Sequence, residues 1–164
     1  MIKKVGVPKE RTGVLIGKNG ATKREIEART KTHIEIDDEV TIEGGLGVLD
    51  AENIAKAIAR GFTPEHAMQL VEEDKTLCII NLPKNKKSLS RTRARIIGKQ
   101  GKSRKNIERL TGSDIVVYGR TVSIIGTYEN VEYAREAVEK LIKGSKHSNV
   151  FRYLEGLHAR GKIH

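Results

Sequence analysis

Ile97-Gly98-Lys99-Gln100-Gly101-Lys102-Ser103-Arg104-Lys105-Asn106-Ile107 repeats an earlier passage of the same chain, Ile16-Gly17-Lys18-Asn19-Gly20-Ala21-Thr22-Lys23-Arg24-Glu25-Ile26, displaced by 81 residues. Over residues 16–36 and 97–117, eight of 21 aligned positions are identical: Ile16/Ile97, Gly17/Gly98, Lys18/Lys99, Gly20/Gly101, Ile26/Ile107, Glu27/Glu108, Thr30/Thr111 and Ile34/Ile115. After one inserted residue the match resumes at Val40/Val122, Ile42/Ile124 and Gly44/Gly126. Self-similarity at that period marks two copies of one supersecondary unit.

Working outward from the glycine pairs, both copies read alike. An apolar strand (Ile2–Val7; Leu77–Leu82), a proline and a short helical stretch lead into the Gly-rich turn. A helix of about ten residues follows, ending near Thr30 or Thr111, with Gly112 a natural C-terminal cap. Two short strands come next, Thr32–Ile36 with Val40–Glu43 and Asp114–Val117 with Thr121–Ile125, turned by Asp37-Asp38 and Gly119-Arg120. A final helix closes each unit, the first capped by Asp50 and ended by Gly61, the second starting near Asn130 with Gly144 after it. The order β-α-α-β-β-α thus occurs twice, an α+β class with a three-stranded antiparallel sheet and helices on one face of it. The expected organisation is a first domain over 1–61, a helical connector over 62–74 opened by Pro64, a second domain over 75–144 and a helical tail over 145–164. Val150, Phe151, Tyr153, Leu154 and Leu157 give the tail an apolar stripe, suited to packing on the second domain or to docking a partner.

Charge divides unevenly between the copies. Residues 1–74 hold 11 Lys/Arg against 14 Asp/Glu, a net of −3; residues 75–164 hold 20 against 7, a net of +13. Ten basic residues and no acidic one fall within 84–105. Such a block repels itself unless it meets a polyanion, and nucleic acid is the leading partner. A solvated basic face or contact with anionic lipid would use the same residues. No apolar run approaches the roughly 20 residues of a membrane span. The N-terminus lacks the apolar stretch of a signal peptide, so a cytoplasmic protein is expected. The lone Cys78 excludes an internal disulfide, and the run Leu77-Cys78-Ile79-Ile80 suggests a buried strand thiol.

Enzyme signatures fail residue by residue. Gly101-Lys102-Ser103 imitates the end of a P-loop, yet the glycine required at position 96 is Ile96. No metal spacing links His33, His66, His147, His158 and His164 with Cys78. Asp37-Asp38-Glu39 sits at a hairpin tip, where a solvated turn is the ordinary reading. No catalytic residue, metal or cofactor is expected. Aromatics are few, and none forms the stacking signature of an RNA-recognition motif. Tyr118, placed in the loop between the last two strands, is a candidate for touching a base.

Gly17-Lys18-Asn19-Gly20 and Gly98-Lys99-Gln100-Gly101, each preceded by isoleucine and opening a basic helix, resemble the GXXG loop of KH domains, and the element order resembles the eukaryotic type I. The physical logic fits. Two glycines remove bulk where backbone must approach a sugar-phosphate chain, and the helix start offers free N–H groups and a positive dipole end. Lys18 and Lys99 add charge without sequence preference. Val14, Ile16, Ile26 and Ile36, then Ile97, Ile107 and Val117, would line a narrow apolar cleft that admits single strands only. Core packing is the larger role for Ile26, Ile34, Ile107 and Ile115.

Basic side chains assigned to the first site are Lys18, Lys23 and Arg24, beside Asn19. The second has Arg91, Arg93, Arg95, Lys99, Lys102, Arg104 and Lys105, beside Gln100, and should supply most of the affinity. Ser90-Arg91-Thr92-Arg93-Ala94-Arg95-Ile96-Ile97-Gly98-Lys99-Gln100-Gly101-Lys102 resembles the archaeal KH-domain rRNA-processing family, whose eukaryotic members are the partner-of-Nob factors of small-subunit ribosome assembly. That resemblance implies single-stranded RNA near the 3′ end of small-subunit rRNA as ligand. It also implies the rRNA maturation endonuclease and the alpha subunit of translation initiation factor two as partners. A general single-stranded RNA- or DNA-binding regulator and a protein-binding scaffold are the rival classes.

Overall fold

Alternation of Thr32, Ile34 and Ile36 with His33 and Glu35 makes a strand, β2 (Thr32–Ile36), paired antiparallel with β3 (Val40–Gly44). Ile34 stands opposite Ile42 and Ile36 opposite Val40, so the apolar sets of both strands share a face. β1 (Ile2–Val5) adds to the free edge of β3, giving the order β1-β3-β2. Three helices cover the apolar face: α1 (Lys9–Ile16), α2 (Ala21–Thr30) and α3 (Gly47–Ala59). Leu15, Ile26, Ile34, Ile42, Ile54 and Ile58 are wholly buried there, each contributing about 1.5–3 kcal/mol by leaving water. The computed structural model describes residues 1–163; His164 lies outside the described residues.

The expected start of α3 is corrected. The helix begins at Gly47, so Asp50 lies within its first turn and makes no cap. A Cβ on Gly47 would sit 1.8 Å from the Thr30 carbonyl oxygen. Glycine there lets α3 begin against the end of α2, a packing demand that a capping pattern does not reveal. Within 62–74, α4 (Pro64–Ala67) is capped by the Thr63 hydroxyl, which accepts from the His66 N–H, and a 3-10 turn over Met68–Val71 follows. Phe62, Ala67, Met68 and Leu70 are buried, and the segment runs alongside α3 within a compact unit spanning Met1–Lys75.

The second unit, from Thr76 onward, repeats the plan. It comprises β4 (Lys75–Asn81), α5 (Lys86–Ile97), α6 (Lys102–Thr111), β5 (Asp114–Tyr118), β6 (Thr121–Thr127) and α7 (Tyr128–Ile142). The sheet order is β4-β6-β5, with Ile115 opposite Ile124 and Val117 opposite Val122. Asn85 caps α5 by accepting from the Lys87 and Ser88 N–H groups, and Thr127 caps α7 by accepting from Asn130, so that helix starts before the expected Asn130. Tyr118 ends β5 instead of standing in the loop. Cys78 on β4 is half-buried, short of the burial expected.

α8 (His147–Ala159) packs on α6 and α7 through Val150, Leu154 and Leu157. The Tyr153 hydroxyl donates to Glu136 Oε2 at 2.7 Å, and the Lys140 ammonium lies 3.5 Å from the Tyr153 ring centroid. The hydrogen bond to Glu136, then burial, push the phenol up to about 12. The tail is therefore part of the second unit's core. Among the described residues no helix is long and apolar enough to cross a membrane.

Candidate nucleic-acid interface

Both Gly-x-x-Gly turns adopt one backbone path. Gly17 (φ 76, ψ 175) and Gly98 (φ 74, ψ 174) end α1 and α5. Asn19 (φ 55) and Gln100 (φ 57) are left-handed, as are Gly20 (φ 77) and Gly101 (φ 76), and α2 or α6 begins at the next residue. The first glycine is required twice over. Its conformation is one that side chains avoid, and a Cβ would stand 2.3 Å from Thr22 Oγ at Gly17 or 2.5 Å from Ser103 Cβ at Gly98. The second glycine answers chiefly to its φ: a Cβ on Gly101 meets nothing nearer than Lys105 Cε at 3.8 Å, and one on Gly20 meets only the far end of the Arg24 side chain, at 2.9 Å. Lys18, Asn19, Lys99 and Gln100 are exposed. The turn thus presents a smooth backbone corner and a helix start to solvent.

The neighbouring wall is held by a residue that the repeat made visible and the charge reading overlooked. Glu27 Oε2 accepts from the Ile34 N–H at 2.8 Å, and Glu108 Oε2 accepts from the Ile115 N–H at 2.8 Å, tying α2 to β2 and α6 to β5. Each carboxylate also pairs with a cation one turn back, Lys23 at 3.3 Å or Arg104 at 2.8 Å. Arg104 further donates to the Ile115 carbonyl at 3.2 Å. Val14, Ile16, Ile36, Ile97 and Val117 are half-buried on these walls, whereas Ile26 and Ile107 are wholly buried. Those last two belong to the core and not to the expected cleft lining.

Several expected phosphate ligands turn out to be engaged inside the protein. Arg95 Nε donates to the Leu141 carbonyl at 3.1 Å and its Nη2 donates to the Ser145 carbonyl, closing the C-terminal end of α7. Arg11, not singled out from the sequence, does the same for α3, donating to Ile58 at 2.8 Å and Phe62 at 2.7 Å. Arg93 donates to the Gly119 carbonyl in the β5–β6 turn, and Arg24 donates to Asn19 O at 2.6 Å, bracing the first corner. By contrast the side chains of Arg91, Lys99, Lys102 and Lys105 make no hydrogen bond or ion pair among the described residues, and neither does that of Lys18. The second corner therefore has four free cations close by, the first chiefly one.

Comparison with known proteins agrees with this geometry. The eukaryotic type KH-domain (KH-domain type I) family matches residues 75–159, and the KH domain family matches residues 2–59. A KH domain-containing protein of Methanocaldococcus jannaschii is 44% identical over 91% of this chain and 70% of its own length. RNA-binding protein pno-1 of Caenorhabditis elegans is 32% identical over 80% of this chain, which spans about half of that relative (50%). A solved complex of a/eIF2alpha, aDim2p and rRNA from Pyrococcus horikoshii contains a chain 45% identical, with a TM-score of 0.90 and 98% of this chain and 95% of that one covered. Two glycine corners at helix mouths, on two β-α-α-β-β-α units with those relatives, place the chain in the KH family as a tandem type I member of the archaeal Dim2 and eukaryotic PNO1 kind.

Proposed function

We propose that the protein binds single-stranded RNA in the processing of small-subunit rRNA, gripping the strand at its Gly-x-x-Gly corners and mainly at the second. The carrying observation is one backbone corner built twice, with four cations near one copy unpaired among the described residues and chiefly Lys18 near the other. Relatives named as RNA-binding and pre-rRNA-processing proteins, and a neighbour solved with rRNA, support the assignment. The same neighbour supports the alpha subunit of initiation factor two as a partner. The net −3 of residues 1–74 favours the first domain as the protein-facing one. Binding near the rRNA 3′ end, and work beside the maturation endonuclease in the cytoplasm, complete the reading. No catalytic step is assigned to the chain.

The arginine contacts narrow the ligand set. Free charge for phosphates comes from Arg91, Lys99, Lys102 and Lys105; Arg95 and Arg104 act by shaping the site. Titrating RNA into Lys99→Glu and Lys18→Glu variants tests the asymmetry. We expect roughly a tenfold loss for the former and under about threefold for the latter, with log K falling against log salt at a slope near −3.5 for about five phosphates. The reverse ranking, or a flat salt dependence, would remove the proposal.

A further inference from the structure

On the far side of α6 from Arg104 and Glu108, a cleft of about 880 Å³ opens between α5, α6 and the start of α8. By helical spacing Lys102, Lys105 and Arg109 share the face opposite Arg104, and all three line this cleft with Arg91, His147 and Phe151. Among the described residues no carboxylate lines it. Arg91, Lys102 and Lys105 have no partner among the described residues, and Arg109 is bonded to the neutral Asn106 amide. Phe151 is half-buried against the core and supplies an apolar floor, its ring centroid 6.0 Å from that of His147. The His147 ring is held by a 2.7 Å hydrogen bond between its Nε2 and the Arg95 carbonyl.

A second observation points to an anion. The Ser103 side chain lines the same cleft, is only 5% exposed, and its hydroxyl has no hydrogen-bond partner among the described residues. A buried hydroxyl without a partner costs about 1–3 kcal/mol unless something satisfies it, and a phosphate oxygen entering a cationic cleft would do so. Gly98 and Lys99 also line the cleft, so it is continuous with the corner. We infer that this α5–α6–α8 cleft is a second RNA-binding surface, which takes the phosphates and a base of the nucleotides flanking those held at the Gly98–Gly101 corner. The inference rests on the proposed RNA function. It goes further by carrying the strand past the cations beside the corner to Arg109, His147 and Phe151, which the proposed grip does not include. RNA is favoured over an acidic peptide because the strand is already delivered to the rim at Lys99 and because an apolar floor suits an unstacked base.

Affinity of the full chain for a tetranucleotide and for a 12-nucleotide RNA containing it separates the surfaces. Arg109→Glu should weaken the longer RNA about tenfold, lower its salt slope by about 0.7 and leave the tetranucleotide within about twofold. Ser103→Ala, with no added charge, should weaken the longer RNA about threefold or more. Equal loss on both lengths, or none on either, overturns the inference. So does displacement of an acidic peptide by Arg109→Glu with the 12-mer unaffected, which would give the cleft to a protein. Lys99→Glu serves as the control: if it spares the tetranucleotide, the proposed function fails whatever the cleft does.

Discussion

The two Gly-x-x-Gly corners differ by only a few degrees in their glycine dihedrals, yet their surroundings diverge. At the first corner Arg24 turns inward onto the Asn19 carbonyl. At the second, Lys105 occupies the equivalent place and has no side-chain partner among the described residues. The first unit closes with the short α4 and a 3-10 turn; the second adds α8, a thirteen-residue helix that buries Val150, Leu154 and Leu157. The corner itself is a backbone property and is the same in both copies. The charge around the corner sits in side chains, and it differs between the two copies. The corner is alike in both copies, and only the second is flanked by several cations that have no side-chain partner among the described residues.

Three perturbations would break or sharpen that comparison. The largest effect belongs to the first glycine of each corner. Gly98→Ala and Gly17→Ala should each cost about 3 kcal/mol or more, because the conformation is close to glycine-only and the helix start is in the way. Gly101→Ala should cost only about 1 kcal/mol. Denaturant titration measures the gap, and equal costs at Gly98 and Gly101 would show that φ alone matters. Next come the paired arginines. Arg11→Ala and Arg95→Ala should each destabilise the unit that holds it by about 2 kcal/mol, through two lost hydrogen bonds from a charged donor. An Arg95→Ala variant of native stability that had lost RNA affinity would return Arg95 to the list of ligands.

The smallest effect is at the end of the loop-bearing helix. Lys31 (φ 56) occupies the left-handed position that Gly112 (φ 67) fills in the second copy. Lys31→Gly should stabilise the first unit by about 1 kcal/mol and Gly112→Lys should destabilise the second by a similar amount. Thermal melts of the two exchanges that moved in the same direction would undo the equivalence of the two ends.

Much of the fold was readable because its signals are local. The strands Thr32–Ile36 and Val40–Gly44 follow from alternation, and the loop from two glycines three apart. The start of α3 was missed because Gly47 is chosen by contact with Thr30, a neighbour from another helix. Glu27 and Glu108 carried a usable signal: an acidic residue identical in both copies, on a helix otherwise rich in cations, marks a structural contact. The internal contacts of Arg104 and Arg95 were not legible for the opposite reason, since a basic residue near a basic loop looks the same whether its charge is free or already met.

Residues close in the chain thus dictated the repeat, the element order and the bend of each corner, because φ/ψ preference and hydrophobic period act over a few positions. Which cations remain available, and that α8 walls off a second basic cleft, was decided only when distant parts met. Arg95 finds its carbonyls 46 and 50 residues away, and His147 meets the Arg95 carbonyl from 52. A charge is neutralised by whatever the fold brings within about 4 Å of it, and no count along the chain contains that distance.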